Sequence, residues 1–191
     1  MTSHRTDRKP AAGTAQSAFG VLDECHRRTL AALAKLETVV ARLEAGSVDG
    51  GTRVLAGDVV RHFSTIARQH HEDEERHVFP KLATSADKAI VHAVLRLQED
   101  HNWLEEDWMA LEPHLDAVAC GQSWYDVAFL REGGDIFAAL SRDHIALEEA
   151  CLYPEARARL QPAEQEEMGR EMAARRRAAR RAAGTRAAAR T

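Results

Sequence analysis

Apolar residues recur along this chain at steps of three and four, and nowhere alternate with polar ones over strand length, so the pattern predicts helices throughout. The steadiest stripe is Ile90, Val94, Leu97, His101, Leu104, Trp108, Leu111 and Leu115, a heptad-like seam with one imidazole set inside it. Leu22, His26, Leu30, Leu33, Leu36, Val40 and Leu43 predict a first helix from Gln16 or Ser17 to about Ala45, stopped by Gly46 and the Asp49-Gly50-Gly51 cluster. Leu55, Val59, Phe63, Ile66 and His70 predict a second, from Thr52 as N-cap to Phe79, where Pro80 interrupts the hydrogen-bond ladder. That stripe selects His70 over His71, whose side points about 100° away. The third helix starts at Thr84 or Ser85, with Asp87 in its first turn, and reaches at least Glu112 before Pro113. Phe137, Leu140, His144, Leu147 and Cys151 predict a fourth, opening at Ser123 with Asp126 as capping partner and bent or split at Gly133-Gly134. Each stripe holds one histidine at a core position.

Helix lengths turn this into a three-dimensional expectation. His26 lies 19 residues before Ala45 and His70 lies 18 after Thr52; His101 lies 18 before Ala119 and His144 lies 21 after Ser123. At about 1.5 Å per residue these agree within a turn, so an all-α, up-down-up-down four-helix bundle brings the four histidines to one level.

The stretch around His70 occurs twice. His70-His71-Glu72-Asp73-Glu74-Glu75-Arg76-His77-Val78-Phe79-Pro80 and His144-Ile145-Ala146-Leu147-Glu148-Glu149-Ala150-Cys151-Leu152-Tyr153-Pro154 both read His, three residues, Glu-Glu, three residues, aromatic-Pro, offset by 74. His26 and His101 are offset by 75, so two helical hairpins each carry one lone His and one His-x-x-x-Glu. Residues four apart share a helix face, so His70 with Glu74 and His144 with Glu148 each aim an imidazole and a carboxylate the same way. Four imidazoles and two carboxylates buried at one level without a cation would be costly to desolvate.

Composition changes the picture at the ends. Residues 1–16 are polar and basic with no apolar run, which reads as a disordered lead, neither signal peptide nor anchor, and no stretch approaches the ~20 apolar residues of a membrane span. Three scattered cysteines, Cys25, Cys120 and Cys151, argue against a disulfide framework and for the cytoplasm. Net charge is −4, but residues 170–191 carry eight Arg against one Glu. The domains expected are the lead, a bundle over 17–158, and an Ala/Arg-rich tail over 159–191, helical or more readily disordered, with nucleic-acid binding through its arginines a lesser expectation.

A mixed nitrogen and oxygen ligand set of more than four suits first-row ions of intermediate hardness, and two irons bridged by Glu74 and Glu148 is the natural arrangement. The ordered set His26, His70-x-x-x-Glu74, His101, His144-x-x-x-Glu148 with aromatic-Pro closures resembles the hemerythrin-like HHE cation-binding domains. That resemblance implies a four-helix bundle with an oxo- or hydroxo-bridged di-iron centre, in which His26, His70, His101 and His144 are terminal ligands and Glu74 and Glu148 bridge; manganese is the alternative metal. Oxygen-carrying hemerythrins place a second His four residues after the helix-three His, where this chain has Glu105, and set the helix-four carboxylate five residues after its His, which is Glu149 here. The implied function is binding of oxygen or a related small ligand such as peroxide or nitric oxide. The alternatives are peroxidase or nitric oxide reductase turnover at the same centre, and a metal-responsive regulator acting through the tail. The remaining histidines, His4, His62, His71, His77, His92 and His114, are assigned to the surface or to supporting positions, with His77, one turn beyond Glu74, the most suggestive.

Overall fold

The computed structural model describes residues 17–188, and among these every regular element is helical. The 1–16 lead and the last three residues of the tail lie outside them. Helix α1 (Ala18–Glu44) is capped by Ser17, whose hydroxyl accepts from Gly20 N. Its C-terminus closes on Gly46 at φ 70°, with Gly46 N donating to Leu43 O and Ser47 N to Arg42 O. The same closure recurs at the end of α5 (Lys88–Ala119), where Gly121 adopts φ 72° and Gln122 N donates to Ala117 O. The two hairpins therefore turn on equivalent glycines.

The second rod is not one helix. It comprises α2 (Gly50–Arg61), a wide π-type segment (His62–Ala67), α3 (Arg68–His77) and α4 (Phe79–Ala83). Its N-cap is Asp49, which accepts from Thr52 N, rather than Thr52 itself. Pro80 sits in the first turn of α4, where a missing N–H costs nothing, so it starts a helix instead of ending one. In the same way Asp87 caps α5, Pro113 is accommodated inside it, and α6 (Val127–Leu147) is capped by Asp126, not opened at Ser123. Gly133-Gly134 does not split α6. The glycines face neighbours: a Cβ at Gly133 would lie 3.1 Å from Leu111 Cδ2, so its absence lets α6 close on α5. A second wide segment (Glu148–Leu152) follows α6 and leads into α7 (Tyr153–Arg159).

Helix α1 packs on α2 and α6, and α5 on α2 and α6, closing a ring. Inside it are two apolar clusters. Leu33, Leu36, Val59, Phe63, Trp108, Leu111 and Phe137 fill the glycine-turn half, while Leu22, Val78, Phe79, Leu82, Val94, Leu97 and Leu152 fill the other. Between the two lies a layer of buried polar side chains. Leu30 is 41% exposed and Ile66 only half-buried; Thr29 and Ala67 take the inward positions. His62, in the first wide segment, is buried with Nε2 3.0 Å from Thr29 Oγ1.

The tail forms α8 (Pro162–Ala188), which packs on α1 and α3. Of the two forms expected for the tail, helical or disordered, α8 has the helical one, and two methionines one turn apart, Met168 and Met172, are buried in the second cluster. Polar clasps add to this: Lys81 Nζ lies 2.6 Å from Glu164 Oε1, His77 Nε2 2.7 Å from Glu171 Oε2, and both Arg175 and Arg176 pair with the buried carboxylate of Asp73.

Met172→Ala should cost about 2 kcal/mol in urea unfolding and speed amide exchange in α8 first; a cost under about 0.5 kcal/mol would mean that α8 is not anchored there. Burial pushes His62 down to about 4 from an ordinary 6.5. As pH falls through that window the unfolded chain takes up a proton at His62 that the folded chain refuses, so stability declines by up to about 3 kcal/mol and then levels off. His62→Gln should therefore show a shallower loss of urea midpoint than wild type between those pH values, and parallel curves would contradict the assignment.

Candidate metal centre

The polar layer is built by four rods. His26 projects from α1, His70 and Glu74 from α3, His101 from α5 and His144 from α6, with Glu148 opening the second wide segment. All six are buried. Donor atoms of His26, His70, Glu74 and Glu148 lie within 4.8 Å of one another, and so do those of Glu74, His101, His144 and Glu148. The two carboxylates belong to both groups, with one oxygen turned to each side. Glu74 Oε1 is 3.4 Å from His70 Nε2 and its Oε2 3.6 Å from His101 Nε2, while Glu148 Oε2 is 3.1 Å from His26 Nε2 and its Oε1 3.2 Å from His144 Nε2. The structure thus brings together all six residues singled out in the sequence, in two positions that share their carboxylates.

Much of this layer has no hydrogen-bond partner among the described residues: both nitrogens of His70 and of His144, Nε2 of His101, Oε2 of Glu74 and both oxygens of Glu148. Each such buried atom costs about 1–3 kcal/mol. Burial pushes His70 down to about 3, so its imidazole stays neutral with its lone pair available. Burial works against charge on His144 and Glu148 too, yet their mutual attraction wins, raising the histidine and lowering the glutamate. The donor set fits a pair of cations, which would satisfy the orphaned atoms and replace the protons that the histidines otherwise hold.

Supporting residues follow the duplication. Glu75 Oε1 is 2.8 Å from His101 Nδ1 and Glu149 Oε1 is 3.0 Å from His26 Nδ1, so the second glutamate of each Glu-Glu pair turns the lone histidine until its Nε2 faces the carboxylates. The aromatics act in parallel. Phe79 stacks on His101 at 5.3 Å and Tyr153 on His26 at 5.1 Å. Here Glu149 is 52% exposed and serves His26 instead of the centre, and Glu105 pairs outward with Arg68 at 2.9 Å. The doublet in both repeats was the readable signal for Glu75 and Glu149.

His71, expected at the surface or in a supporting position, faces the layer. Its ring stacks on that of His101 at 4.0 Å, and a nitrogen lies within 4.8 Å of donor atoms of His101 and His144. The wide His62–Ala67 segment holds about one extra residue, so position 71 takes the direction a uniform helix would have given position 70, and both histidines flank the seam. Of the others, His77 pairs with Glu171, His62 with Thr29, and His114 Nδ1 accepts from Asp126 N, while His92 is exposed; His4 lies outside the described residues.

A cavity of about 30 Å³ opens beside the layer, lined by Phe63, Leu104, Trp108, Phe137 and Ile145 together with His70, His71 and His144. The space is more than a single water requires and suits a small ligand. Arg68 and Glu105, which also line it, are each 41% exposed and mark where it meets the surface.

Glu75→Gln and Glu149→Gln should each weaken metal binding about 10- to 100-fold, read by competition with a chelator, with the helical circular dichroism unchanged. Unaltered affinity in both variants would show that the lone histidines need no orienting carboxylate.

The profile of the hemerythrin HHE cation binding domain matches residues 17–156. An uncharacterised protein of Haemophilus influenzae is 31% identical over 157 residues, covering 81% of this chain and 87% of that relative. The matched span encloses all four rods and every residue of the layer, and the chain belongs to the hemerythrin HHE cation-binding domain family.

Proposed function

We propose that this chain is a cytoplasmic di-iron protein of up-down-up-down topology that binds oxygen or a related small ligand such as nitric oxide or peroxide. The observation that carries this is the pair of buried carboxylates, each offering one oxygen to either histidine pair, beside a small apolar cavity. His26 and His70 would hold one ion, His101, His144 and His71 the other, and Glu74 and Glu148 both. Iron so held supplies a site that changes oxidation state and takes up oxygen-like ligands. Manganese suits the same donors. The protein's own part is positional: Glu75 and Glu149 fix two imidazoles, Phe63, Trp108 and Phe137 keep the ligand space dry, and the Arg68–Glu105 pair stands at its mouth. Three free cysteines, Cys25, Cys120 and Cys151, support a reducing compartment.

Peroxide or nitric oxide turnover is the second reading. The Tyr153 hydroxyl favours it, because it donates to Glu74 Oε1 at 2.5 Å and so sets a proton against the shared carboxylates. Regulation through the tail has less support, since Arg175 and Arg176 are engaged by Asp73, which among the described residues of the tail leaves Arg170, Arg177, Arg180 and Arg181 exposed for an anionic partner.

Protein purified from iron-replete cells should contain about two irons per chain and, when oxidised, absorb in the near ultraviolet and blue. His101→Ala should lower the iron content to about one or less and the melting temperature by several degrees. A colourless, iron-free preparation whose stability is unchanged by His101→Ala would contradict the reading.

A further inference from the structure

The two repeats differ at two positions facing the layer. Where the first repeat has Phe79 the second has Tyr153, and where the first has His71 the second has Ile145. Each substitution adds or removes one donor atom, and the additions fall on opposite sides.

Tyr153 is completely buried, and its ring is held flat against His26 and edge-on to Phe19 at 5.9 Å. Its oxygen lies 3.1 Å from His26 Nε2 and 2.5 Å from Glu74 Oε1, both donor atoms of the same position. First-row ions take nitrogen and oxygen donors at about 2.1 Å, so neighbouring donors on an octahedral ion lie about 3 Å apart. The His26–Glu148 and His70–Glu74 separations, 3.1 and 3.4 Å, have that edge length. The Tyr153 oxygen has it to His26 Nε2, at 3.1 Å, and lies closer to Glu74 Oε1 because a hydrogen bond joins the two. Packing alone does not explain the hydroxyl, because Phe79 stacks on His101 in the equivalent place without one.

Resting on the di-iron reading above, we propose that the Tyr153 phenol oxygen is a ligand of the ion held by His26 and His70, so that this ion has a phenolate where its neighbour has His71. On loading with ferric iron the O–H bond now directed at Glu74 breaks, an O–Fe bond forms, and the proton leaves to solvent; no electron is transferred. Glu74 Oε1 is freed from that hydrogen bond to take the same ion. A hard anionic donor on one side only favours the ferric state there, so the two irons differ in reduction potential.

Ferric phenolates have a broad visible charge-transfer band, and Raman excitation within it enhances the phenolate ring modes. The protein loaded with iron and oxidised should show both. Tyr153→Phe should lose both while keeping about two irons per chain, and Tyr125→Phe, which alters the other of the two tyrosines, should keep both. Iron-loaded wild type without phenolate modes would overturn the assignment whatever the variants do, and so would a band that survives Tyr153→Phe. A preparation that takes up no iron would remove the di-iron reading itself, and metal content separates that outcome from the others.

Discussion

A layer of six buried polar side chains crosses an otherwise apolar bundle, and its desolvation is the constraint to which the rest of the structure answers. Leu22 and Leu33 on α1, Val94 and Leu104 on α5, belong to the apolar clusters one or two turns either side of the histidines. Such a layer is tolerable only if its donors converge on something that needs them. Their arrangement, each carboxylate divided between two histidine pairs, has the form of a two-ion site.

Convergence depends on local devices far from the layer. Equivalent glycines at 46 and 121 end the first rod of each hairpin, and aspartates at 49 and 126 begin the second, so lone histidine and His-x-x-x-Glu meet at one height. The wide segments then adjust direction: one lies just before His70, the other begins at Glu148. Such segments add a residue without ending the helix, which rotates the downstream face while leaving its axis in place. Beneath the layer, α8 is latched to α3 through Asp73, the residue beside Glu74, so the tail bears on a helix that supplies two of the six side chains.

The helical class and the family were legible in periodicity and in the repeat, because stripes of apolar residues and a 74-residue offset survive any detail of packing. His71 was not. A uniform helix turns it away, and the extra residue in the His62–Ala67 segment is a backbone choice that side-chain patterning does not record. Tyr153 was read as a closure of its motif, since nothing in one chain's sequence says that its hydroxyl reaches a glutamate 79 positions earlier. Glu75 and Glu149 were visible as half of a doublet, but their partners are on other rods. The contacts of the tail were not legible for a compositional reason: among so many Ala and Arg residues, two methionines are a faint stripe, and the buried Asp73 that receives Arg175 and Arg176 is about 100 positions away.

Anomalous diffraction at the iron edge from crystals of the loaded protein tests the central claim most directly. Two peaks about 3.5 Å apart, both touching Glu74 and Glu148, one against His26 and His70 and the other against His101 and His144, are the predicted result. A loaded crystal with no peak in this layer, or with iron bound only at the surface, would contradict it.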